Sequence, residues 1–412
     1  MPVPETSHTT LVRHHGLDAA RAIALFIGIF HHGIESFISY VKWDWITQDS
    51  QESIILDILF YVSHVFRMQA FFLMSGFFAH LLLKKLGTGG FMVNRAKRLV
   101  LPFVIFWPIL YFTTYNLWVW GIHTLRDSTT EQKVAELPDY MLLSHGFPLM
   151  HLWFLYFLIL YCVLVVVYQT LISRMIDPHN RIARMLIKAV SYCSPKWWGS
   201  LLIGLIMVLP MLGMTDEFGV DTSASSLIPM LAPFVLYGLY FLLGWIIFLV
   251  PQLWNSMSRF KSQNLLTSIV LIVLLIGLNL AVKGTSLMSP IHVNGLINFV
   301  YAFASVTAVF AFIGFMISCF SSASLRIRYL SDSSYWGYLI HLPLVGFFQI
   351  LVAPYDWFWG FKLVLIFVPV IILLYISYKY FVRTTIIGRL LNGATKSQQL
   401  KVNPLRTDVR SN

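Results

Sequence analysis

The chain has 412 residues, of which 58% are hydrophobic and 11% are charged, and its formal net charge is +11. Soluble domains average about 45–50% apolar and about 25% charged residues, so this composition excludes a water-soluble fold and indicates a polytopic membrane protein. The positive charge does not indicate nucleic-acid binding, because the basic residues lie in short segments between apolar runs rather than on one basic face.

Ten apolar segments come close to the length that crosses a hydrocarbon core, which takes about 20 mostly apolar residues per helix. They predict an all-α membrane fold in one domain, residues 1–390. The polar remainder, 391–412, has no apolar periodicity and is predicted to be a disordered cytoplasmic tail. The predicted spans are 17–41, 54–83, 99–120, 149–172, 197–213, 228–250, 264–282, 295–320, 333–352 and 359–382.

The placement of lysine and arginine predicts the orientation of these spans. With the N-terminus inside, 23 of the 29 basic residues fall in inner segments, five in outer segments, and one, Arg67, inside a span. Both termini are therefore predicted to be cytoplasmic. The five basic residues assigned to outer segments are Lys42, Arg126, Lys133, Lys283 and Lys362.

The first span carries an arginine and a histidine, and the histidine is predicted to lie deep in the membrane on the same helical face as the arginine. Arg21 and His32 are eleven residues apart, about three helical turns or roughly 16 Å, so they are predicted to line one passage. Glu35 follows His32 by three positions, where a carboxylate can fix the tautomer of the ring and raise its basicity. Alternatively, Arg21 snorkels to the membrane surface and His32 bonds another helix. His31 is predicted to point elsewhere and to be structural.

The second span carries an arginine that needs a partner inside the membrane. Arg67 follows His64 by three positions near the predicted outer end, and it cannot lose its proton. Its predicted partner is Glu35, Asp57 or a carboxylate of a substrate. Ser75 and the glycine after it allow the helix to bend or another backbone to approach.

An arginine pair follows the second span at the predicted cytoplasmic surface. Arg95 and Arg98 share a helical face, and two guanidinium groups suit the phosphates of a nucleotide-like donor. The alternative is that both residues only contribute to the positive-inside charge.

Two further histidines lie in apolar surroundings. His151 opens the fourth span in "HLWFL", where its position predicts an interfacial role. His341 lies inside the ninth span, two residues before Pro343, and a helix kinked by that proline can border a cavity. Each of these histidines is alternatively a hydrogen-bonded structural residue. The three cysteines are far apart and form no Cys/His cluster, so no metal site is predicted.

Five motifs in this order resemble the membrane acyltransferase 3 family over nearly the whole chain. They are Arg21-x10-His32, "FFLMSGFF" at 71–78, Arg95-x-x-Arg98, "HLWFL" at 151–155 and "YLIHLPL" at 338–344. The combination of "HVFRMQAFFLMSGFF" with "HLWFL" is most similar to the branch that contains the periplasmic glucan succinyltransferases.

The resemblance implies a multi-pass enzyme of the cell inner (cytoplasmic) membrane. It would move an acetyl or succinyl group from cytoplasmic acyl-coenzyme A, a co-substrate rather than a permanently bound cofactor, to a hydroxyl of an extracytoplasmic glycan or lipid-linked sugar. It implies that His32 is catalytic with Arg21 as its motif partner, and that Arg95 and Arg98 form the family's arginine pair.

The spacing of residues adds further expectations. Glu35 supports His32, and Arg95 and Arg98 bind the donor. His32 either deprotonates the acceptor directly or carries the acyl group covalently. The side chains expected to contact the acyl group or acceptor are His64, Arg67, Ser75, His151 and His341. A secondary transporter for an anionic solute, or a flippase for a lipid-linked sugar, also fits intramembrane charges and helices interrupted by Gly or Pro.

Overall fold

The computed structural model describes residues 15–39, 45–127, 137–138, 141–172, 181–215, 219–222, 224–284 and 290–393. Most of the predicted tail, from 394 onward, lies outside the described residues, as do parts of the loop 121–148 and two of the predicted outer basic residues, Lys42 and Lys133. The structure describes only the beginning of the segment predicted to be a disordered tail. There Leu391 and Asn392 belong to a short helix, and Leu391 is buried.

The described residues are helical and contain no strand, which confirms the all-α prediction. The described part of the chain has thirteen α-helices, numbered in chain order, and short 3₁₀ or π segments flank some of them. The helices are α1 His15–Ile34, α2 Ile54–Arg95, α3 Leu101–Asp127, α4 Trp153–Val167, α5 Arg181–Cys193, α6 Gly199–Met211, α7 Leu231–Leu249, α8 Pro251–Arg259, α9 Lys261–Gly284, α10 Pro290–Cys319, α11 Leu325–Val352, α12 Trp359–Ser377 and α13 Ile386–Asn392.

Eight segments of the described chain are long and apolar enough to cross a membrane, so the protein is a multi-pass membrane protein. The number differs from the predicted ten for two reasons. The spans predicted at 54–83 and 99–120 fall in one helical segment, Ile54–Thr124, and the span predicted at 197–213 corresponds to the 13-residue helix α6. At 1.5 Å per residue a 71-residue segment would extend for about 105 Å, several times the thickness of a hydrocarbon core.

A break in the backbone interrupts this long segment. Gly87 has φ 65° and ψ 175°, a conformation outside the helical region that suits glycine because it has no Cβ. The residues on both sides, Lys85 and Gly89, are exposed, and α2 continues to Arg95. The helix therefore extends beyond residue 83, the predicted end of the second span.

Helix α1 lies in the interior of the bundle and carries the first predicted site residues. In its membrane-spanning window 67% of the residues are buried, against 22% for α9 and for the window over α12, which are peripheral. Helix α2 crosses α7 through a reciprocal pair of glycines. A Cβ at Gly76 would collide with the carbonyl of Phe241, and one at Gly244 with the carbonyl of Leu73. Small residues allow such close approach in membrane bundles, which confirms the backbone approach predicted beside Ser75.

Candidate active site

A cavity of about 620 Å³ lies where α1, α2, α11 and the start of α4 converge. We call it the histidine cavity. Polar side chains from all these elements face it among aromatic walls. The His, Glu and Arg side chains that line it are His31, His32, Glu35, His64, Arg67, His151 and His341.

His32 and Glu35 form a hydrogen-bonded dyad in this cavity. Helix α1 ends at Ile34, and Glu35 begins a 3₁₀ turn from which its carboxylate reaches back to the ring of His32. His32 Nδ1 lies 2.9 Å from Glu35 Oε2. When Glu35 is ionised its carboxylate only accepts hydrogen bonds, so Nδ1 carries the proton and Nε2 is left with a free lone pair. The His32 side chain is 19% exposed, so this nitrogen can act as a general base on a molecule in the cavity.

Two residues remote in sequence hold His32 in place. The Trp45 ring stacks on His32 with a centroid distance of 5.5 Å and an interplanar angle of 9°. The Trp45 indole N–H donates to Gln349 Oε1 at 3.0 Å, and Gln349 Nε2 donates to the carbonyls of His32 at 2.9 Å and Gly33 at 3.1 Å. Both the ring and the backbone of His32 are therefore fixed by contacts that the local sequence does not reveal.

His31 lines the histidine cavity too, so the prediction that it points elsewhere is wrong. Its Nδ1 donates to Ser63 Oγ at 2.7 Å, because the Ser63 hydroxyl proton is engaged with the carbonyl of Phe60. Its Nε2 lies 3.8 Å from Glu35 Oε1. Although adjacent positions on a helix diverge, the cavity wraps around the end of α1 and the Glu35 carboxylate lies between the two rings. The hydrogen bond to Ser63 agrees with the structural role predicted for His31.

Arg67 is a buried guanidinium without a carboxylate partner among the described residues. Its Nη1 donates to the carbonyl of Gly28 at 3.3 Å, and its Nε is buried without a hydrogen-bond partner. Of the two acidic partners predicted, Asp57 accepts hydrogen bonds from Ser39, and Glu35 is hydrogen-bonded to His32. Arg67 lines the cavity and can therefore receive an anionic group of a bound molecule.

His341 and His151 face the cavity from α11 and from the turn before α4. His341 Nδ1 donates to the carbonyls of Tyr338 at 2.8 Å and Gly337 at 3.1 Å. His151 Nε2 donates to the carbonyl of Leu339 at 3.0 Å. Pro343 explains why this last carbonyl is available, since proline has no N–H to donate to the residue four positions earlier.

His64 lies on the same wall of the cavity as Arg67, as their spacing on α2 predicts. The hydroxyl of Tyr301, on α10, donates to the carbonyl of His64 at 3.2 Å and lies 3.4 Å from its Nδ1. The ring of His64 is stacked near that of His31 at a centroid distance of 5.8 Å. His64 therefore joins α10 to the histidine cluster.

A second pocket of about 140 Å³, which we call the arginine pocket, contains Arg21, Arg95 and Ser75. Ser75 was expected to contact the acyl group or acceptor with Arg67. It lies eight residues further along α2, about 12 Å, and so it lines this pocket instead. Arg21 donates to Asp18 Oδ1 at 2.9 Å and to the hydroxyl of Ser331, and its guanidinium lies over the ring of Phe78.

The two members of the predicted arginine pair occupy different surroundings. Arg95 lines the arginine pocket and donates to Asn94 Oδ1 at 2.8 Å, while its Nε is buried without a hydrogen-bond partner in the described part of the chain. Arg98 does not line this pocket. It is half-buried against Gly393, and its carbonyl accepts a hydrogen bond from the Tyr335 hydroxyl at 2.7 Å. A π turn over Ala96–Val100 separates their faces more than a regular helix would.

Among the described residues, Phe71 alone lines both the histidine cavity and the arginine pocket. Arg21 and His32 were predicted to line one passage. They lie instead in two compartments that meet at this ring, one compartment beside each end of α1. The ring of Phe71 lies 5.7 Å from that of Phe154, which also borders the histidine cavity.

Comparison with known proteins identifies the family. The family model described as Acyltransferase domain (Acyl_transf_3) matches residues 14–378. The chain belongs to the acyltransferase 3 family. This assignment favours acyl transfer over the alternatives of a secondary transporter or a flippase, and the protein is a membrane acyltransferase.

Curated relatives match this acyltransferase along nearly its whole length. It is similar to Glucans biosynthesis protein C of Shigella dysenteriae serotype 1 (strain Sd197), with 24% identity over 92% of this chain and 94% of the relative. The protein of the same name from Escherichia coli (strain K12) shows the same identity and coverage. No solved structure matches the chain.

Several residues of this acyltransferase's site were not predicted from its sequence. They act by supporting predicted residues: Trp45 and Gln349 hold His32, and Asp18 and Ser331 hold Arg21. Only Asp18 carried a local signal, because it precedes Arg21 by three positions on α1. Within the described ranges, no three His, Cys, Asp or Glu side chains are arranged to hold a metal ion.

Proposed function

We propose that this acyltransferase moves an acetyl or succinyl group from cytoplasmic acyl-coenzyme A to a hydroxyl of a glycan, or of a lipid-linked sugar, on the far side of the inner membrane. The proposal includes ten spans with both termini in the cytoplasm, as the distribution of basic residues predicts. The observation that carries it is the His32–Glu35 dyad, with a free Nε2 in a cavity large enough for a sugar ring. The names of the glucan relatives support a glycan acceptor.

The donor binds on the side of the arginine pocket. Coenzyme A carries several phosphate charges, which cannot cross a hydrocarbon core cheaply. Arg21 and Arg95 present guanidinium groups in this pocket, and Arg98 adds a third cation three residues after Arg95. The phosphates remain with these arginines while the long, narrow pantetheine arm carries the thioester inward past Phe71.

Acyl transfer takes place in the histidine cavity. His32 Nε2 takes the proton of the acceptor hydroxyl while the hydroxyl oxygen attacks the carbonyl carbon of the thioester. The carbon–sulfur bond then breaks, the new ester forms, and the thiolate of coenzyme A receives the proton from the His32 imidazolium. Glu35 stabilises that imidazolium through Nδ1. Arg67 lies in position to pair with negative charge on the acyl group, which is the free carboxylate when that group is succinyl.

The proposal is tested with the full-length protein in proteoliposomes, with acyl-coenzyme A and a glucan oligosaccharide on opposite sides of the membrane. The wild type is expected to form an ester on the oligosaccharide and to release coenzyme A on the donor side. His32→Ala is expected to insert normally and to lose ester formation. His123→Ala is the matched control, because His123 is exposed on α3. Ester formation by His32→Ala at the wild-type rate would overturn the assignment.

The same proposal predicts a chemical signature in cells. Periplasmic and envelope glycans from a deletion strain should lack a substituent with the mass of an acetyl or succinyl group. Complementation by the wild type should restore it, and complementation by His32→Ala should not. Unmodified glycan that disappears from the outer side would instead support transport.

A further inference from the structure

Three imidazoles stand in a row along the wall of the histidine cavity. The ring centroids of His32 and His341 lie 5.4 Å apart, and those of His341 and His151 lie 5.5 Å apart. The three rings come from α1, from α11 and from the turn before α4, so tertiary packing alone brings them together. Only His32 has a role in the transfer step as described so far.

Each ring has one nitrogen committed as a hydrogen-bond donor. His32 Nδ1 donates to the Glu35 carboxylate, His341 Nδ1 to carbonyls of its own helix, and His151 Nε2 to the carbonyl of Leu339. Carboxylates and carbonyls only accept, so these three nitrogens carry the protons. The second nitrogen of each neutral ring is therefore an acceptor, and none of the three has a hydrogen-bond partner among the described residues.

Of the three acceptor nitrogens, His151 Nδ1 has the greatest need of a hydrogen-bond donor. His151 is 7% exposed, and its Nδ1 is a buried polar atom without a partner in the described chain. A buried acceptor left in this state is destabilising, so such atoms in native proteins ordinarily have a partner. The missing partner must be a donor, because a second lone pair would be repelled.

Pro343 maintains this arrangement. A residue with an N–H at position 343 would donate to the Leu339 carbonyl, which would then be shared between this N–H and His151 Nε2. The proline leaves that carbonyl to the His151 ring, which fixes its tautomer and turns Nδ1 into the acceptor.

The chemistry of the row selects the class of ligand. Three neighbouring acceptors favour a molecule with several O–H donors and disfavour a carboxylate or phosphate, which Arg67 is suited to receive elsewhere in the cavity. The walls around the row are aromatic and include Trp153, Phe154 and Tyr338. Hydroxyl donors on a compact ring next to aromatic faces are the properties of a sugar.

We propose that His341 and His151 are positioning residues for the acceptor. Each accepts a hydrogen bond from a hydroxyl near the one that His32 deprotonates, and together they decide which hydroxyl of a sugar ring is acylated. This inference rests on the proposed function and specifies how the same site holds its acceptor. His341 and His151 hold no proton of the reaction and act only by orienting the ring.

The first test uses the wild-type protein, so it does not depend on the folding of a variant. Methyl glucoside and each of its monodeoxy analogues are compared as acceptors, with the position of the ester determined by NMR. Removal of the reacting hydroxyl should abolish the main product. Removal of either of two further hydroxyls should raise the acceptor KM about tenfold, the effect of losing one hydrogen bond. Equal KM values for all analogues that still react would overturn the inference.

The second test assigns each hydrogen bond to one histidine. His341→Phe and His151→Phe keep an aromatic ring and remove the acceptor nitrogen. Each variant should raise the KM for methyl glucoside about tenfold, produce esters at additional positions, and become insensitive to one particular deoxy substitution. The KM for the acyl donor should not change. An unchanged acceptor KM together with an unchanged ester position in both variants would overturn the inference.

Pro343→Ala extends the test to the tautomer of His151. It should reproduce the loss of positional selectivity of His151→Phe, whereas Pro369→Ala, which alters a proline inside α12, should behave as the wild type. Equal selectivity of both proline variants would contradict the role of Pro343. Failure of the wild type to acylate any glucan oligosaccharide is a different result, because it overturns the proposed function itself.

Discussion

The carboxylate of Glu35 accepts a hydrogen bond from His32 Nδ1 at 2.9 Å. His32 lies in the last turn of α1, and Glu35 follows it by three residues, just beyond the end of the helix. The same carboxylate lies 3.8 Å from His31 Nε2, so a single acidic group serves two adjacent imidazoles. This relationship makes His32 a base with one defined free nitrogen. Replacing Glu35 therefore tests how much the orientation of His32 matters, because the His32 imidazole itself stays in the site.

Glu35→Gln should lower kcat without preventing insertion of the protein. Glutamine can still accept the His32 N–H, but it carries no charge to stabilise the imidazolium, and its N–H₂ can favour the wrong ring tautomer. Loss of the carboxylate behind a catalytic histidine costs up to about 10⁴-fold in well-studied hydrolases, so we expect a decrease of at least roughly 10²-fold. Acyl transfer is measured with purified protein.

The control for this variant is Glu52→Gln, because Glu52 is an exposed acidic residue in the segment before α2. It should leave kcat unchanged. A Glu35→Gln enzyme with the wild-type kcat would show that His32 does not need its carboxylate partner.

Arg67→Met should change the choice of acyl donor. The Arg67 guanidinium has no carboxylate partner among the described residues, so a free carboxylate on the acyl group is expected to pair with it. We expect the ratio of kcat/KM for succinyl-coenzyme A over acetyl-coenzyme A to fall at least about tenfold, since a hydrogen bond to a charged group contributes about 1.5–3 kcal/mol. Competition between the two donors in one reaction gives this ratio directly.

An unchanged ratio of kcat/KM for the two donors would show that Arg67 does not contact the acyl group. An equal loss with both donors would indicate instead that the guanidinium stabilises the oxyanion that forms during transfer with any acyl group. Arg383→Met is a suitable control, because Arg383 is exposed and lies over the ring of Tyr329, away from the cavity.

Phe71→Trp should impair transfer more than donor binding. Phe71 is shared by the histidine cavity and the arginine pocket, and a larger ring there narrows the route for the thioester while the arginines remain in place. We expect a decrease in kcat of at least tenfold, with the dissociation constant for coenzyme A changed less than about threefold. Phe361→Trp, on the exposed face of α12, should have neither effect. A normal kcat in Phe71→Trp would mean that the donor reaches His32 by another route.

The sequence predicted the parts of the site that depend on spacing along one helix. Arg21 and His32 both lie on α1, and the contact between His32 and Glu35 follows from a separation of three residues. His64 and Arg67 likewise reach one cavity because they are one turn apart on α2. Apolar length was also sufficient to predict the helical fold.

Contacts between distant segments could not be predicted in this way. The stacking of Trp45 on His32 and the hydrogen bonds of Gln349 join residues that are up to 317 positions apart. The position of Ser75 depends on where the arginine pocket begins along α2, which local periodicity does not define. Arg98 was separated from Arg95 by a π turn, a feature without a clear signature in the sequence.

A buried ion pair, Lys362 with Asp49, anchors the segment that carries Trp45. Lys362 was predicted among the outer basic residues, but its side chain is fully buried in α12, and its Nζ donates to both Asp49 carboxylate oxygens at 2.7 Å. Removing one member of such a pair leaves an uncompensated charge and typically costs about 3–5 kcal/mol. Lys362→Met should therefore lower the thermal unfolding temperature markedly, whereas Lys379→Met, at an exposed position, should not.

The double variant Asp49→Asn with Lys362→Met tests the cause of this loss, because it removes both charges together. It should be more stable than Lys362→Met alone, since no unpaired charge is left in the interior. Its acyl transfer should still be slower than that of the wild type, because the Trp45 segment loses an anchor and the ring of His32 loses part of its support. If the double variant were as unstable as the single one, the destabilisation would come from lost packing of the Lys362 chain rather than from the isolated carboxylate.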